Sequence, residues 1–253
     1  MVGKYLHDST GTNNMAFIPD LMNRKTYNED GMGNMHLYTP WWLDNKNLDF
    51  PRGYHIEVWG GLGAPAYGFG FDYNSLNKFF GLEIGGYGDR VRKEVKKYYG
   101  STIGFSTRGE SVPNKNNYCD IDPEKKDKYG IPVLKFNYKW SDYERKQATH
   151  MNETVKKIVH NIGGHMLWEN GGPDNGLLTP GEVIHEVGTT RMGSNPKTSV
   201  VNEYEQLHDA KNVFIVDGGP FVSQADKNPT WTIMALSWRT SEFIIDQLKK
   251  QNI

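Results

Sequence analysis

His185 is the residue in this sequence best suited to acid–base chemistry at neutral pH. It opens the segment His185-Glu186-Val187-Gly188-Thr189-Thr190-Arg191-Met192-Gly193. A neutral imidazole accepts a proton near neutral pH, and the glycines beside it let a ligand approach the backbone closely. A single histidine is more often a hydrogen-bonded structural group, and only its company makes His185 a candidate base. The second such stretch is Asn228-Pro229-Thr230. Asn228 is a strong helix N-cap and Pro229 suits a first helical position, where its missing N–H would be unpaired anyway. The open N–H groups and positive dipole end of the helix begun there suit a group that carries or develops negative charge.

These residues need elements to hold them. Val213-Phe214-Ile215-Val216 reads as a short buried strand, broken by the turn Asp217-Gly218-Gly219. After Thr230 the residues Ile233, Met234, Leu236, Phe243, Ile244, Ile245 and Leu248 recur at near-helical spacing, and Lys249 and Lys250 favour the C-terminal end. One face of that helix is expected to be buried. Strand, turn and helix N-terminus together make a nucleotide-type site.

The whole chain sets bounds on this reading. Its 253 residues suffice for roughly one or two domains of about 150 residues each. A net charge of −1 gives no electrostatic reason to expect nucleic acid or an anionic membrane surface. Cys119 is the only cysteine, so an internal disulfide and a cysteine-based metal cage are excluded. No apolar run approaches the ~18 residues of a membrane span. Met1-Val2-Gly3-Lys4 has no apolar signal region and reads straight into Tyr5-Leu6-His7-Asp8, as sequence from within a domain does, so a preceding segment is expected.

Between the two ends the elements are short. Residues 1–60 carry turn signals at Asn28-Glu29-Asp30-Gly31 and Asp49-Phe50-Pro51-Arg52-Gly53, and then Tyr54–Trp59 alternates as a half-buried strand. Gly61, Gly63 and Ala66 after it fit the G-x-G-x-x-A spacing of a dinucleotide loop. The Pro-, Gly- and aromatic-rich stretch from Pro65 to Phe71 cannot supply the helix that such a loop requires, so a plain loop is the better reading. Asp89–Tyr99 reads as a lysine-rich surface helix. Gly109–Tyr138, with Ile131–Phe136, suggests an antiparallel sheet. Ser141-Asp142-Tyr143-Glu144 reads as a capped helix start whose helix runs to about Ile162, where Gly163-Gly164 stops it. A glycine-rich loop, Glu169–Gly176, precedes the last third.

Other candidates have plainer readings. Trp41, Trp42, Trp59, Tyr67, Phe69 and Phe71 could stack on sugar rings but are more often packing residues. His160 and His165 alone have zinc-like spacing, without a cysteine pair, so no metal site is expected. The lysine runs 93–97 and 125–128 read as solvated faces.

Taken in order, His185–Gly193, Ser199-Val200-Val201-Asn202, Asn212–Gly218 and Asn228-Pro229-Thr230 through Met234-Ala235-Leu236 resemble the C-terminal motifs of the glucose-methanol-choline (GMC) flavin oxidoreductases. Val2–Asp8 resembles the family's mid-chain segment, and Val112-Pro113-Asn114 to Ile131-Pro132-Val133 its substrate-domain sheet. Nearly the whole chain thus resembles the family's second half, in the branch of pyranose oxidases, gluconate dehydrogenase flavoproteins and glucoside 3-dehydrogenases.

The resemblance implies an α/β plus α+β chain: the C-terminal part of a Rossmann-like FAD-binding domain with an antiparallel-sheet substrate domain covered by helices. Residues 1–12 and 177–253 would belong to the FAD-binding domain and 13–176 to the substrate domain. The implied cofactor is FAD, and the implied reaction removes hydride from a sugar or glycoside carbinol carbon, with His185 as base and Asn228 as its partner. Asp217 and Gly218 match positions at the FAD ribityl and phosphate region, and Pro229 and Thr230 match positions against the isoalloxazine. The family's G-x-G-x-x-G fingerprint has no acceptable equivalent here, so an N-terminal FAD-binding chain or segment is the expected partner. An electron-transfer subunit and a periplasmic location are also expectations from the resemblance. The competing reading is a catalytically silent carbohydrate-binding or assembly fragment.

Overall fold

The computed structural model describes residues 1–24, 36–40, 46–60, 73–81, 87–169 and 174–253. The dinucleotide-like loop at 61–66, the aromatics Trp41, Trp42, Tyr67, Phe69 and Phe71, and residues 170–173 of the glycine-rich 169–176 loop lie outside them. The chain divides into two compact units. One comprises residues 1–10, 109–144 and 178–253, and the other residues 11–108 and 145–177.

The second unit is built on a five-stranded sheet. Its strands are β1 (Thr10–Phe17), β2 (His36–Pro40), β3 (Tyr54–Gly60), β4 (Thr102–Gly109) and, numbered seventh in the chain, β7 (His165–Glu169), in the order β2-β3-β4-β1-β7. The pairs β1–β7 and β2–β3 are antiparallel. Two helices, α1 (Tyr73–Phe80) and the lysine-rich α2 (Asp89–Tyr98), lie between β3 and β4 in sequence. The core joins Ala16, Ile18, Tyr54, Ile56 and Phe105 to Met151, Val155 and Val159 of α3 (Asp142–Asn161). Those three α3 positions are four residues apart and therefore share a face.

β1 and β4 are not evident from the sequence because several of their buried residues, Thr10, Thr12, Asn14, Thr102 and Thr107 among them, are polar and interrupt the apolar pattern. Thr12 and Thr107 satisfy each other, with the Thr12 N–H donating to Thr107 Oγ1 at 2.9 Å and the two hydroxyls 2.8 Å apart. Asn14 Nδ2 donates to Asn152 Oδ1 at 3.1 Å. Trp59 has a packing role, since its indole occupies the space where a Cβ on Gly104 would lie only 2.0 Å away. His165 packs on Phe17 and Phe79, and no group of three or more His, Cys, Asp or Glu side chains suited to a metal occurs among the described residues.

In the first unit, β5 (Tyr118–Lys126) and β6 (Pro132–Asn137) form a two-stranded antiparallel ribbon, the sheet expected between Gly109 and Tyr138. The start of α3 is the expected capping box. Tyr143 N–H donates to Ser141 Oγ at 3.3 Å, Ser141 N–H to Glu144 Oε2 at 2.8 Å, and the Ser141 hydroxyl also reaches that carboxylate. The last element is α4 (Thr230–Lys249). No helix among the described residues is long and apolar enough to cross a membrane.

Candidate active site

Residues 187–192 run between two other segments. On one side His7 N–H donates to Val187 O at 3.0 Å and Val187 N–H returns to His7 O at 2.8 Å. On the other, the N–H groups of Gly188, Thr190 and Met192 donate to the carbonyls of Gly218, Gly219 and Pro220 at 3.1, 3.0 and 2.8 Å. Two glycines make this close approach feasible. Gly188 has φ +101° and a Cβ there would lie 2.4 Å from Tyr5 O. At Gly218 a Cβ would lie 2.8 Å from Val187 Cγ1 and 3.6 Å from Ile233 Cδ1, so this residue ties the His185 segment to the first turn of α4.

His185 is half-buried. Its N–H donates to Asp8 Oδ1 at 3.1 Å, and its Nδ1 lies 3.4 Å from Ser9 Oγ, which accepts from Gln224 Nε2 at 2.8 Å. Asp8 is fully buried and also accepts from the N–H groups of Ser9 at 2.7 Å and Gly181 at 3.3 Å. Burial, helped by the neighbouring Glu186 charge, pushes its carboxyl up to about 6, against the lowering effect of the three amides. Asp8 N–H donates to the Tyr138 hydroxyl at 3.1 Å, and burial raises the pKa of that phenol well above its ordinary value.

Two readings of the last third need correction. Asn228 does not cap α4. The cap position is Pro229, itself in helical conformation at φ −79°, ψ −14°, and its carbonyl accepts from Ile233 N–H at 3.0 Å. Capping by a side chain needs an extended residue at that position, and proline has no side-chain acceptor to offer. Asn228 is instead exposed, with no side-chain hydrogen bond among the described residues, and Thr230 is the first residue of the helix. Nor is Val213–Val216 a buried strand. It makes one bridge, Gln206–Phe214, flanked by Leu207 N–H to Val213 O and Ile215 N–H to Glu205 O, both at 2.9 Å. Val213 and Val216 are exposed because the run pairs along one edge only among the described residues.

The face of α4 is likewise mixed. Thr240 is its one buried residue, donating to the buried Glu205 at 2.7 Å, and Phe243 stacks on Tyr204 at 4.1 Å. Met234, Ile245 and Leu248, expected on the buried face, are 64%, 52% and 56% exposed, alongside Trp231 at 87% and Trp238 at 71%. Asp217 is exposed, with Oδ1 accepting from Gly219 N–H at 2.7 Å. The structure thus joins His185 to Asp8, Ser9 and Gln224, and joins Gly218 to the α4 start. No hydrogen bond joins His185 to Asn228.

Residues 113–237 match the family described as GMC oxidoreductase, through its C-terminal domain. The chain is 29% identical over 200 residues to 2-methyl-1,2-propanediol dehydrogenase of Mycolicibacterium austroafricanum, covering 79% of this chain and 34% of that protein. It is 30% identical over 166 residues to the gluconate 2-dehydrogenase flavoprotein of Pantoea cypripedii, covering 65% of this chain and 27% of that one. A solved structure of the formate oxidase of Aspergillus oryzae RIB40, concerned with its FAD modification, superposes with a TM-score of 0.62 at 13% identity, covering 98% of this chain and 48% of that one. The chain spans about a third or less of the length of the curated relatives it matches. Residues 113–237 are a GMC oxidoreductase C-terminal domain, and the chain is homologous to the sugar and alcohol oxidoreductases of that family.

Proposed function

We propose that this chain supplies the substrate side and the base of an FAD-dependent enzyme that oxidises a hydroxyl of a sugar or glycoside. FAD, when bound, supplies the acceptor for the hydride leaving the carbinol carbon. The chain's own residues do the rest. His185 takes the hydroxyl proton at Nε2, and Asn228 holds the substrate oxygen as negative charge develops on it, without taking the proton itself. The observation that carries this reading is the tie through Gly218. It brings the half-buried His185 segment and the open N–H groups of the α4 start to one place, with an unengaged, exposed Asn228 just before that start.

The residues fit one end of FAD. Gly218 lets the turn close against Val187, where a Cβ would collide, and exposed Asp217 beside it suits the ribityl and phosphate region. Pro229 and Thr230 open α4, and a helix N-terminus favours a reduced flavin, anionic near N1, by roughly 0.3–2 kcal/mol. We assign residues 1–12 and 177–253 to a Rossmann-like FAD-binding domain completed by an N-terminal segment, and 13–176 to the substrate domain. The exposed Trp231, Met234 and Trp238, with the half-paired Val213–Val216 run, support a companion sheet that packs there. So does the small share of its relatives that the chain spans.

The test is anaerobic flavin reduction by D-glucose and D-gluconate in the flavin-loaded enzyme. His185→Ala is expected to slow reduction by roughly 10²–10⁴-fold, the range for loss of a general base. Unchanged kinetics would remove His185 from the role.

A further inference from the structure

We infer that Ser9 is a positioning residue for His185, holding the imidazole in the tautomer whose lone pair lies on Nε2. The inference rests on the proposed role of His185 as base. A histidine can take a proton at Nε2 only if its other ring nitrogen carries the hydrogen, and what fixes that choice is the partner of Nδ1. Here that partner is Ser9 Oγ, at 3.4 Å, a length at which catalytic hydrogen bonds often stand before substrate tightens them.

The geometry around Ser9 accommodates the accepting role. Its oxygen has two lone pairs, and Gln224 Nε2 donates into one of them at 2.8 Å. The other is left for Nδ1–H. Ser9 is fully buried and Gln224 is 3% exposed, so water does not compete for either group. The preceding residue fixes the other end of the arrangement. Asp8 holds the His185 N–H at 3.1 Å and the Ser9 N–H at 2.7 Å on the same Oδ1, so one carboxylate oxygen sets the backbone of both the histidine and its partner. Ring and main chain of His185 are therefore positioned by two adjacent residues, 176 and 177 positions away in sequence.

The experiment reads the ring directly and the reaction separately. In histidine-labelled protein, nitrogen NMR of His185, assigned with His185→Ala, gives its tautomer and its titration. Ser9→Ala is expected to turn a single Nδ1–H tautomer into a mixture and to lower kcat for D-gluconate by about 10-fold with KM unchanged, a loss smaller than that of the base itself. Gln224→Met, which frees the serine hydroxyl while keeping side-chain length, is expected to shift the tautomer in the same direction by less, and serves if Ser9→Ala does not fold. On a His185→Ala background, Ser9→Ala is expected to add no further loss, because residues that act through one another are non-additive. A His185 spectrum unmoved by both variants overturns the inference, as does an additive double variant. If His185→Ala alone leaves flavin reduction intact, the base role fails, whereas the tautomer measurement reports on Ser9 independently.

Discussion

The core of the five-stranded sheet and the last helix use the same kinds of residue in opposite ways. Around β1, β3, β4 and α3, apolar side chains such as Ile56, Phe105, Met151 and Val159 are at most 1% exposed. Along α4, Thr240 is the one buried residue, and two tryptophans stand in solvent. The first region completes its own hydrophobic core, so its stability is a property of this chain. The second leaves apolar side chains that the described residues do not cover. Stability and chemistry are therefore divided: among the described residues the candidate catalytic groups lie outside the self-sufficient core, and the segments around His185 and Asn228 adjoin the uncovered apolar surface.

The strongest way to break that contrast is to cut into the complete core. Phe105→Ala is expected to cost about 3–5 kcal/mol and Met151→Ala about 2–5 kcal/mol, because close-packed surroundings relax only partly around a cavity. Chemical denaturation of the chain measures both. Costs below 1 kcal/mol would mean that the core is as loosely formed as the α4 surface.

What the sequence makes legible follows the range of the interactions. The capping box at Ser141 and Glu144 and the stop at Gly163 are local, and each appears where its residues predict. Tyr54–Trp59 forms its strand, but it is not half-buried: the polar His55 and Glu57 are buried as well as Tyr54 and Ile56, because their side chains meet at 3.2 Å. β1 and β4 escape notice because threonine and asparagine pay for burial with partners on other strands and helices, such as Thr107 for Thr12. Val213–Val216 reads as buried because an apolar run signals a neighbour, yet its second edge has none among the described residues. At the site, the motif order points to His185 and Asn228. Asp8, Ser9 and Gln224 carry no comparable signal, since the Gln224–Ser9 bond spans 215 residues.

A smaller effect sharpens the comparison from the side of the site. Asp8 titrates at about 6 in the folded chain, above its ordinary value of 3.8. The folded state thus binds this proton more tightly than the unfolded chain does. Its contribution to stability is fully present below about pH 4 and is lost as pH rises through 6, by at most roughly 3 kcal/mol for a shift of about two units. Asp8→Asn keeps an oxygen for the His185 and Ser9 amides but does not ionise in this range. Unfolding curves between pH 4 and pH 8 are expected to show a steeper fall for the parent than for Asp8→Asn. Parallel curves would show that the buried carboxylate is not a source of strain beside His185.

The smallest effect is expected where the exposed apolar area is largest. Met234→Ala on α4 removes a side chain that touches solvent over most of its surface, so the stability of the chain alone is expected to change by no more than about 0.5 kcal/mol. The same substitution in the flavin-loaded enzyme, where we propose that a companion sheet covers this stripe, removes contacts from a packed interior and is expected to cost about 2–5 kcal/mol. The difference between the two measurements is therefore more informative than either value, because it isolates what covering α4 contributes. Equal, small costs in both forms would leave Met234 uncovered in the working enzyme, and the apolar stripe would then belong to a different interface.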